Sequence, residues 1–124
     1  MTLVLDAGAL IAIARDDRST VAVIEAARLD GHALVVPAGV VAQTWRDSSR
    51  QALLARLLGA TDVAVEALTD EVSRATGRLC GATQTSDIVD ASIVITARRH
   101  TATIITSDRG DLTRLDQTLP IIDC

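Results

Sequence analysis

The chain has almost no aromatic side chains: it contains no Phe, no Tyr and a single Trp, Trp45. Proteins that recognise unpaired bases by stacking need aromatic side chains on their binding surface. Recognition of bases by stacking on an aromatic platform is therefore essentially excluded. Any nucleic-acid substrate would have to be bound through its shape and its backbone.

Lysine is absent as well, and the 12 basic residues, all arginines, are outnumbered by 16 acids, which leaves a formal net charge of -4. Non-specific affinity for nucleic acids comes mainly from neutralising phosphates, so a bulk nucleic-acid binder is not expected. Such a chain can act on RNA where metal ions screen its acids and arginines line the approach. Arg46 and Arg50 could form a phosphate-contacting patch, although a solvated helix face explains them as well.

Cysteines and long apolar runs are scarce. The two cysteines, Cys80 and Cys124, are too few and too far apart to indicate a disulfide framework or a zinc site. No apolar run approaches the length of about 18 residues that a membrane span needs, and no basic leader with a cleavage site precedes the first strand. We therefore expect a cytoplasmic protein that does not insert into a membrane.

Short apolar segments alternate with helical patterns along the 124 residues, of which 48% are hydrophobic. Strands are predicted at 2–5, 33–36, 62–65, 102–106 and 121–122. Strands that alternate with helices favour a parallel sheet with right-handed crossovers. The sequence predicts one α/β domain, 1–124, with a mostly parallel central sheet of about four to five strands and helices on both faces.

Two of the predicted helices bear on function or boundaries. A helix over about 38–46 would place Gln43 and Asp47 one turn apart on the same face. A second helix, capped by Thr69, is expected to give way to a loose passage of small residues over 77–85.

Four aspartates form two D-x-x-D pairs within 86–112: Asp87 with Asp90, and Asp108 with Asp111. A helix is predicted over 87–99, because apolar positions recur at helical spacing and basic residues fall in its last turn. The strand over 102–106 follows directly. Asp108 therefore lies just beyond the carboxyl end of a strand, where ligands bind in open α/β sheets.

Asp6 follows the first strand in the same way that Asp108 follows the fourth, and Asp90 opens the helix that leads into the fourth. Capping the next helix is a common role for an aspartate such as Asp6. All three carboxylates can nevertheless converge at one edge of the sheet. Carboxylates packed together repel and normally need protons or bound cations.

Hard oxygen ligands select Mg²⁺ or Mn²⁺ rather than zinc. Divalent ions held by carboxylates can generate hydroxide from water and stabilise the leaving oxygen of a phosphodiester. We therefore predict a catalytic Mg²⁺ site, which Mn²⁺ can also fill, at Asp6, Asp90 and Asp108, with metal-dependent phosphodiester hydrolysis as its chemistry.

The segments LVLDAGALIAI, VVPAGVVAQTWR, DIVDASIVITARRH and IITSDRGDL follow one another along nearly the whole chain. In this order and spacing they resemble the PIN-domain nucleases, and the small size of the chain resembles the VapC toxins of bacterial type II toxin-antitoxin pairs. The resemblance implies that Asp6, Asp90 and Asp108 bind metal. Asp87 and Asp111 match accessory acidic positions that vary among relatives.

Two further positions come from the same resemblance. Ser107 matches a small hydroxyl residue that can position metal-bound water or phosphate, although a turn residue explains it equally well. Gln43 stands where the family usually has a glutamate. The amide still offers an oxygen but removes one negative charge, which weakens metal binding or leaves a single-ion site. Asp47 would substitute only poorly, since one turn displaces it by about 5.4 Å.

The resemblance also implies a homodimer, a cognate antitoxin that blocks the acidic cleft, and cleavage of structured RNA, either tRNA or rRNA. The main prediction is thus a Mg²⁺-dependent endoribonuclease toxin. The alternative is a catalytically weakened or inactive PIN-like module that binds a protein partner, because Gln43 replaces the usual glutamate.

Overall fold

The computed structural model describes Met1–Cys124, apart from the side chain of Arg50. Along this described chain, five strands alternate with seven α-helices: β1 Thr2–Leu5, α1 Ala7–Ala14, α2 Arg18–Leu29, β2 Ala33–Pro37, α3 Ala38–Thr44, α4 Ala52–Leu58, β3 Val63–Glu66, α5 Asp70–Thr83, α6 Ile88–His100, β4 Thr103–Thr106, α7 Arg109–Leu115 and β5 Ile121–Asp123. A 3-10 turn, Ser49–Gln51, precedes α4. The predicted α/β class is confirmed.

The five strands form one sheet in the order β3-β2-β1-β4-β5, and every neighbouring pair is parallel. The chain moves outward from β1 to β3 on one side and from β4 to β5 on the other, so its direction reverses between β1 and β4. Right-handed crossovers then place α1–α4 on one face and α5–α7 on the other. Ligands bind in sheets of this kind beyond the carboxyl ends of the strands at the point of reversal.

The core lies on both faces of the central strands. Leu5 of β1 pairs with Ile105 of β4, and neither is exposed to solvent. These strands are apolar runs rather than alternating patterns, because helices cover both of their faces. Helix α6 contributes seven consecutive buried residues, from Ala91 to Ala97, since it packs between the sheet and α5.

The expected loose passage over 77–85 is wrong. Helix α5 continues to Thr83 and ends at Gln84, which adopts a left-handed conformation with φ 57°. Val72, Thr76 and Leu79 are buried at helical spacing, and the packing of this buried stripe holds the helix together. The glycines that suggested a break lie on its solvent side.

The helix predicted over 38–46 is shorter than expected, because α3 ends at Thr44 and Trp45 is extended. The buried side chain of Gln51 ends it: Nε2 donates to Thr44 O at 2.8 Å, and Oε1 accepts from Arg46 N at 2.8 Å. Asp47 lies beyond the helix with φ 51°. Its predicted position one turn from Gln43 on a shared helical face is therefore wrong.

None of the helices in the described part of the chain is long and apolar enough to cross a membrane.

Candidate active site

Asp6 occupies the junction between β1 and α1, and its side chain is 6% exposed. It caps α1, because Oδ1 accepts a hydrogen bond of 2.8 Å from Ala9 N. Its other oxygen, Oδ2, accepts from the hydroxyl of Thr106. The capping role that was open from the sequence is thus observed, and it leaves Asp6 at the carboxyl end of the central strand.

Thr106, the last residue of β4, connects Asp6 to the fourth strand. Its hydroxyl donates to Asp6 Oδ2 and accepts from Asp108 N at 2.8 Å. One fully buried side chain therefore joins two of the predicted metal-binding positions across the reversal point of the sheet. Sequence reasoning missed this residue; the signal was a threonine that ends an apolar strand two residues before an aspartate, the spacing of a hydroxyl turn.

Asp108 and Asp111 form the second D-x-x-D pair at the start of α7. Asp108 is the N-cap, and Asp111 stands three residues further in the first turn, with its N–H 3.5 Å from Asp108 Oδ1. Asp111 also accepts from Arg114 Nη1 at 3.3 Å. This pair is the N-terminal turn of a helix, which favours negative charge.

Asp87 and Asp90 have the same arrangement at the start of α6. Asp87 is the N-cap and accepts from Asp90 N at 3.0 Å. Asp90 is half-buried. Together with Asp111 and Arg114 from α7, they line a cavity of about 310 Å³ that also reaches the end of α5.

The pKa shifts of these acids show which carboxylates lie close enough to repel one another. Burial, followed by repulsion from Asp87, Asp111 and Asp108, raises the pKa of Asp90 from 3.8 to about 6. The pKa of Asp111 is raised above its ordinary value, mainly by its hydrogen bond with the Asp108 carboxyl and by the charge of that group. The acids of the two D-x-x-D pairs therefore form one cluster.

The charges of these acids have a smaller effect on the pKa of Asp6. Burial raises the pKa of Asp6 above its usual 3.8 and the charge of Asp108 adds to the rise, while hydrogen bonds from Thr106, Ala9 and Ser107 oppose it. Asp108 is thus the acid that affects both Asp6 and Asp90. We name these five residues the acidic cluster: Asp6, Asp87, Asp90, Asp108 and Asp111.

Ser107 packs directly against the start of α1. A Cβ atom at Gly8 would lie 1.7 Å from Ser107 Oγ and 2.8 Å from Ser107 Cβ, so only glycine allows this approach. The side chain of Ser107 is exposed, beside Asp6 and Asp108 in the chain fold. It is therefore placed to contact a ligand of the cluster as well as to form the turn.

Gln43 lies on α3 with its side chain exposed, and it lines none of the cavities around the acidic cluster in the described part of the chain. Arg46 follows α3, where Nη1 donates to Trp45 O at 2.7 Å and to Ala42 O at 3.3 Å. The side chain of Arg50 lies outside the described residues, so its predicted contact with RNA is not addressed by the structure.

The donor chemistry of the acidic cluster fits a hard divalent cation, because every candidate ligand is a carboxylate. In the arrangement described, however, no three acidic, His or Cys side chains converge on one point where an ion could sit. Hydrogen bonds at the helix N-termini hold several of these carboxylates. Asp6 and Asp108 cap α1 and α7 with their carboxylates, so ligation of one ion by Asp6, Asp90 and Asp108 would require these side chains to converge.

The sequence profile of the PIN domain family matches residues 3–117. The fold is similar to that of VapBC2 from Rickettsia felis bound to a DNA fragment from their promoter, with a TM-score of 0.74 and 14% identity over 100% of this chain and 99% of that chain. It is also similar to FitAB bound to the IR36 DNA fragment, with a TM-score of 0.68 and 16% identity over 98% and 94% of the two chains.

A third structure, FitAcB from Neisseria gonorrhoeae, has a TM-score of 0.68 and 16% identity over 97% of this chain and 96% of that chain. No curated protein sequence gives a significant match. At these identities the solved structures establish a shared fold, whereas the profile establishes kinship by sequence. PIN domains are generally nucleases and typically use divalent metal ions. Because the profile covers almost all of the sequence, as the motifs predicted, the chain belongs to the PIN domain family.

Proposed function

We propose that this protein is the toxin of a type II toxin-antitoxin pair and acts as a Mg²⁺-dependent endoribonuclease. The observation that carries the proposal is the acidic cluster at the reversal point of the sheet, where burial and mutual repulsion raise the pKa of Asp90 to about 6. Carboxylates that repel one another at a cost in free energy are typical of a site that binds a cation. The reaction is hydrolysis of phosphodiester bonds in structured RNA, either tRNA or rRNA, in the cytoplasm.

Asp6, Asp90 and Asp108 are proposed to hold the ion, with Asp87 and Asp111 adding negative charge around it. A bound Mg²⁺ or Mn²⁺ ion supplies an activated water and stabilises the negative charge that develops on the leaving oxygen. The chain itself orients the acids: Thr106 links Asp6 to the backbone of Asp108. Ser107, exposed beside Gly8, is proposed to hydrogen-bond a phosphate oxygen or a water molecule.

The proposed partners follow from the family and from the fold. Two structures of similar fold are named VapBC2 and FitAB, each bound to DNA, and the sequence motifs resemble the VapC toxins; together these support a cognate antitoxin for this chain. The antitoxin is proposed to cover the acidic cluster and block it. A basic side chain of the antitoxin could replace the cation electrostatically, which charge reversal in the partner would test. The toxin itself is proposed to be a homodimer.

The test is cleavage of total cellular RNA by purified, antitoxin-free protein in Mg²⁺, in Mn²⁺ and in EDTA. Asp6→Asn and Asp90→Asn remove one charge each at nearly constant volume. Asp30→Asn is the matched control. Asp30 is an exposed residue at the C-terminal end of α2, close to where β2 begins, whereas the acidic cluster lies where the central strands end.

Cleavage should require the metal and fall by more than about 100-fold in both cluster variants, since even residues that only support metal ligands cost about 10–100-fold when replaced. The Asp30→Asn protein should cleave like the wild type. Equal cleavage by all four proteins, or cleavage that persists in EDTA, would contradict the proposal.

A second candidate function is an inactive PIN-like module that binds a protein partner. Gln43 favours it, because this exposed amide replaces the glutamate that the family usually has at this position. If folded wild-type protein does not cleave RNA at millimolar metal, Gln43→Glu should be tested next. Restored cleavage would assign the loss to Gln43, and continued inactivity would favour a binding module.

A further inference from the structure

Two open cavities run along the exposed face of α1, and both are lined by Ile11 and Arg15. The first, about 450 Å³, begins at Gly8 and Ser107 beside the acidic cluster. The second, about 540 Å³, extends to Arg46 and Gln51. The two cavities adjoin at these shared residues, and we call them together the α1 groove.

The arginines of the α1 groove differ from most others in the chain because no carboxylate neutralises them. Six arginines lie within 4.0 Å of an acidic side chain: Arg28, Arg74, Arg98, Arg99, Arg109 and Arg114. Among the described side chains, neither Arg15 nor Arg46 has such a partner. In a chain with a net charge of -4, two free guanidinium groups in one groove are a local departure from the overall charge.

Arg46 keeps most of its donors available. Only Nη1 is used, for the two carbonyl bonds to Ala42 and Trp45, so Nε and Nη2 can bind an anion. The one acid of the groove is Asp17, whose Oδ1 already accepts from Ser19 Oγ at 2.8 Å and Thr20 N at 3.0 Å. These bonds lower the pKa of Asp17 and direct its carboxylate toward the start of α2.

The α1 groove leads away from the acidic cluster along α1, as the path of a bound substrate strand would. Arg15 is nine residues after Asp6, which corresponds to about 13 Å along a helix at 1.5 Å per residue. A polyanion whose reacting phosphate lies at the acidic cluster would therefore reach Arg15 several bonds away from the reaction. Arginine binds phosphate through a planar fork of donors, and a chain without Phe or Tyr cannot build an aromatic platform for successive bases.

We propose that the α1 groove is the path by which the RNA backbone reaches the acidic cluster, with Arg15 and Arg46 binding phosphates on one side of the scissile bond. This inference rests on the proposed ribonuclease function. Arg46 is a candidate phosphate contact from the sequence alone, whereas Arg15 becomes one through its place in the groove. The guanidinium groups of Arg15 and Arg46 offset the repulsion that the acidic cluster exerts on an approaching phosphate chain.

The experiment compares wild type, Arg15→Ala, Arg46→Ala and the double variant. Arg78→Ala is the control: Arg78 is exposed on α5, lines neither cavity of the groove and has no carboxylate partner among the described side chains. Thermal unfolding followed by circular dichroism should be similar for all five proteins, since the replaced side chains are exposed.

Two readouts separate this proposal from the ribonuclease function itself. Cleavage kinetics give KM and kcat. Fluorescence anisotropy with a fluorescein-labelled bulk tRNA gives binding without catalysis, measured in the Asp90→Asn background over a series of KCl concentrations. The binding readout remains valid if the wild type cleaves nothing, so the two proposals can fail independently.

Each groove substitution should raise KM about three- to tenfold with little change in kcat, and the double variant should multiply the effects. The slope of log K against log salt should decrease by about 0.7 for each arginine removed. Arg78→Ala should change neither quantity. Equal tRNA binding by the double variant and the control, or no binding by the parent protein, would overturn the proposal and leave the groove to an acidic protein partner.

Discussion

Replacing Asp90 by asparagine should stabilise the metal-free protein while it removes catalysis. Asp90 is half-buried at the start of α6 and faces the charges of Asp87, Asp111 and Asp108, which together with burial raise its pKa to about 6. In the unfolded chain the same carboxyl titrates near 3.8. Ionisation of Asp90 at neutral pH therefore lowers the free energy of unfolding.

The sign follows from proton binding. Between pH 3.8 and about 6 the folded protein holds a proton on Asp90 that the unfolded chain has lost, so the stability conferred by the protonated group declines as pH rises through this window. The pKa difference alone corresponds to about 3 kcal/mol. Solvent screening at a half-exposed carboxyl and the favourable interaction of Asp90 with the N-terminus of α6 reduce the expected gain to about 1 kcal/mol.

The assay is urea denaturation of wild type and Asp90→Asn in EDTA from pH 3 to pH 8. The variant should be more stable by about 1 kcal/mol at pH 7, which corresponds to a rise of about 3–5 °C in Tm for a chain of this size. The difference should vanish below about pH 3.8. Added Mg²⁺ should stabilise the wild type more than the variant, because a ligand that binds only the folded state shifts the equilibrium by mass action.

Asp116→Asn is the control with the opposite sign. Asp116 accepts hydrogen bonds from Thr118 and from Arg98 Nε at 2.8 Å, and these bonds lower its pKa. Its contribution to stability is present above the unfolded pKa, so the substitution should destabilise the protein at pH 7. If Asp90→Asn were also destabilising at pH 7, or if its effect did not depend on pH, then burial and repulsion by the neighbouring acids would be refuted as the cause of a raised pKa at Asp90.

Substituting alanine for glycine should change the free energy of unfolding in opposite directions at two positions. Gly8→Ala places a Cβ where Ser107 now packs, and the overpacking should cost about 1–3 kcal/mol and reduce cleavage, as urea denaturation and the RNA assay would measure. Gly77→Ala meets no atom within 4 Å in the middle of α5, so it should raise the free energy of unfolding by about 0.5–1 kcal/mol and leave cleavage unchanged. A stabilising Gly8→Ala or a destabilising Gly77→Ala would contradict the packing described for that position.

The strands and the start of the helix at Asp87 could be predicted because their signals are local. An apolar run bounded by turn residues indicates a buried strand, and an aspartate three residues before another indicates an N-cap and a first turn. The structure places Asp87 and Asp108 as N-caps and Asp90 and Asp111 in the first turns. The small residues over 77–85 predict a break in helix α5, but the buried stripe of Val72, Thr76 and Leu79 outweighs them and the helix continues.

Contacts between distant residues could not be predicted in this way. The hydroxyl of Thr106 bonds Asp6, 100 positions away, because β1 and β4 are parallel neighbours. Gln51 ends α3 through contacts that no short pattern encodes. Four of the six arginines that pair with acids, Arg28, Arg98, Arg99 and Arg109, likewise have partners on other elements, which depend on how the elements pack.

The sequence by itself determined the α/β class and the parallel sheet. It also determined where each acid lies relative to a strand end or a helix start, and that no aromatic platform for base stacking exists. These properties follow from composition and from interactions within one or two turns of chain. Only the tertiary structure decided the strand order β3-β2-β1-β4-β5 and, with it, which acids share an electrostatic field. Strand order is set by the packing of whole elements on the sheet. For this reason the chemistry of the carboxylates could be inferred from the amino acids, whereas their coupling and the route to them could not.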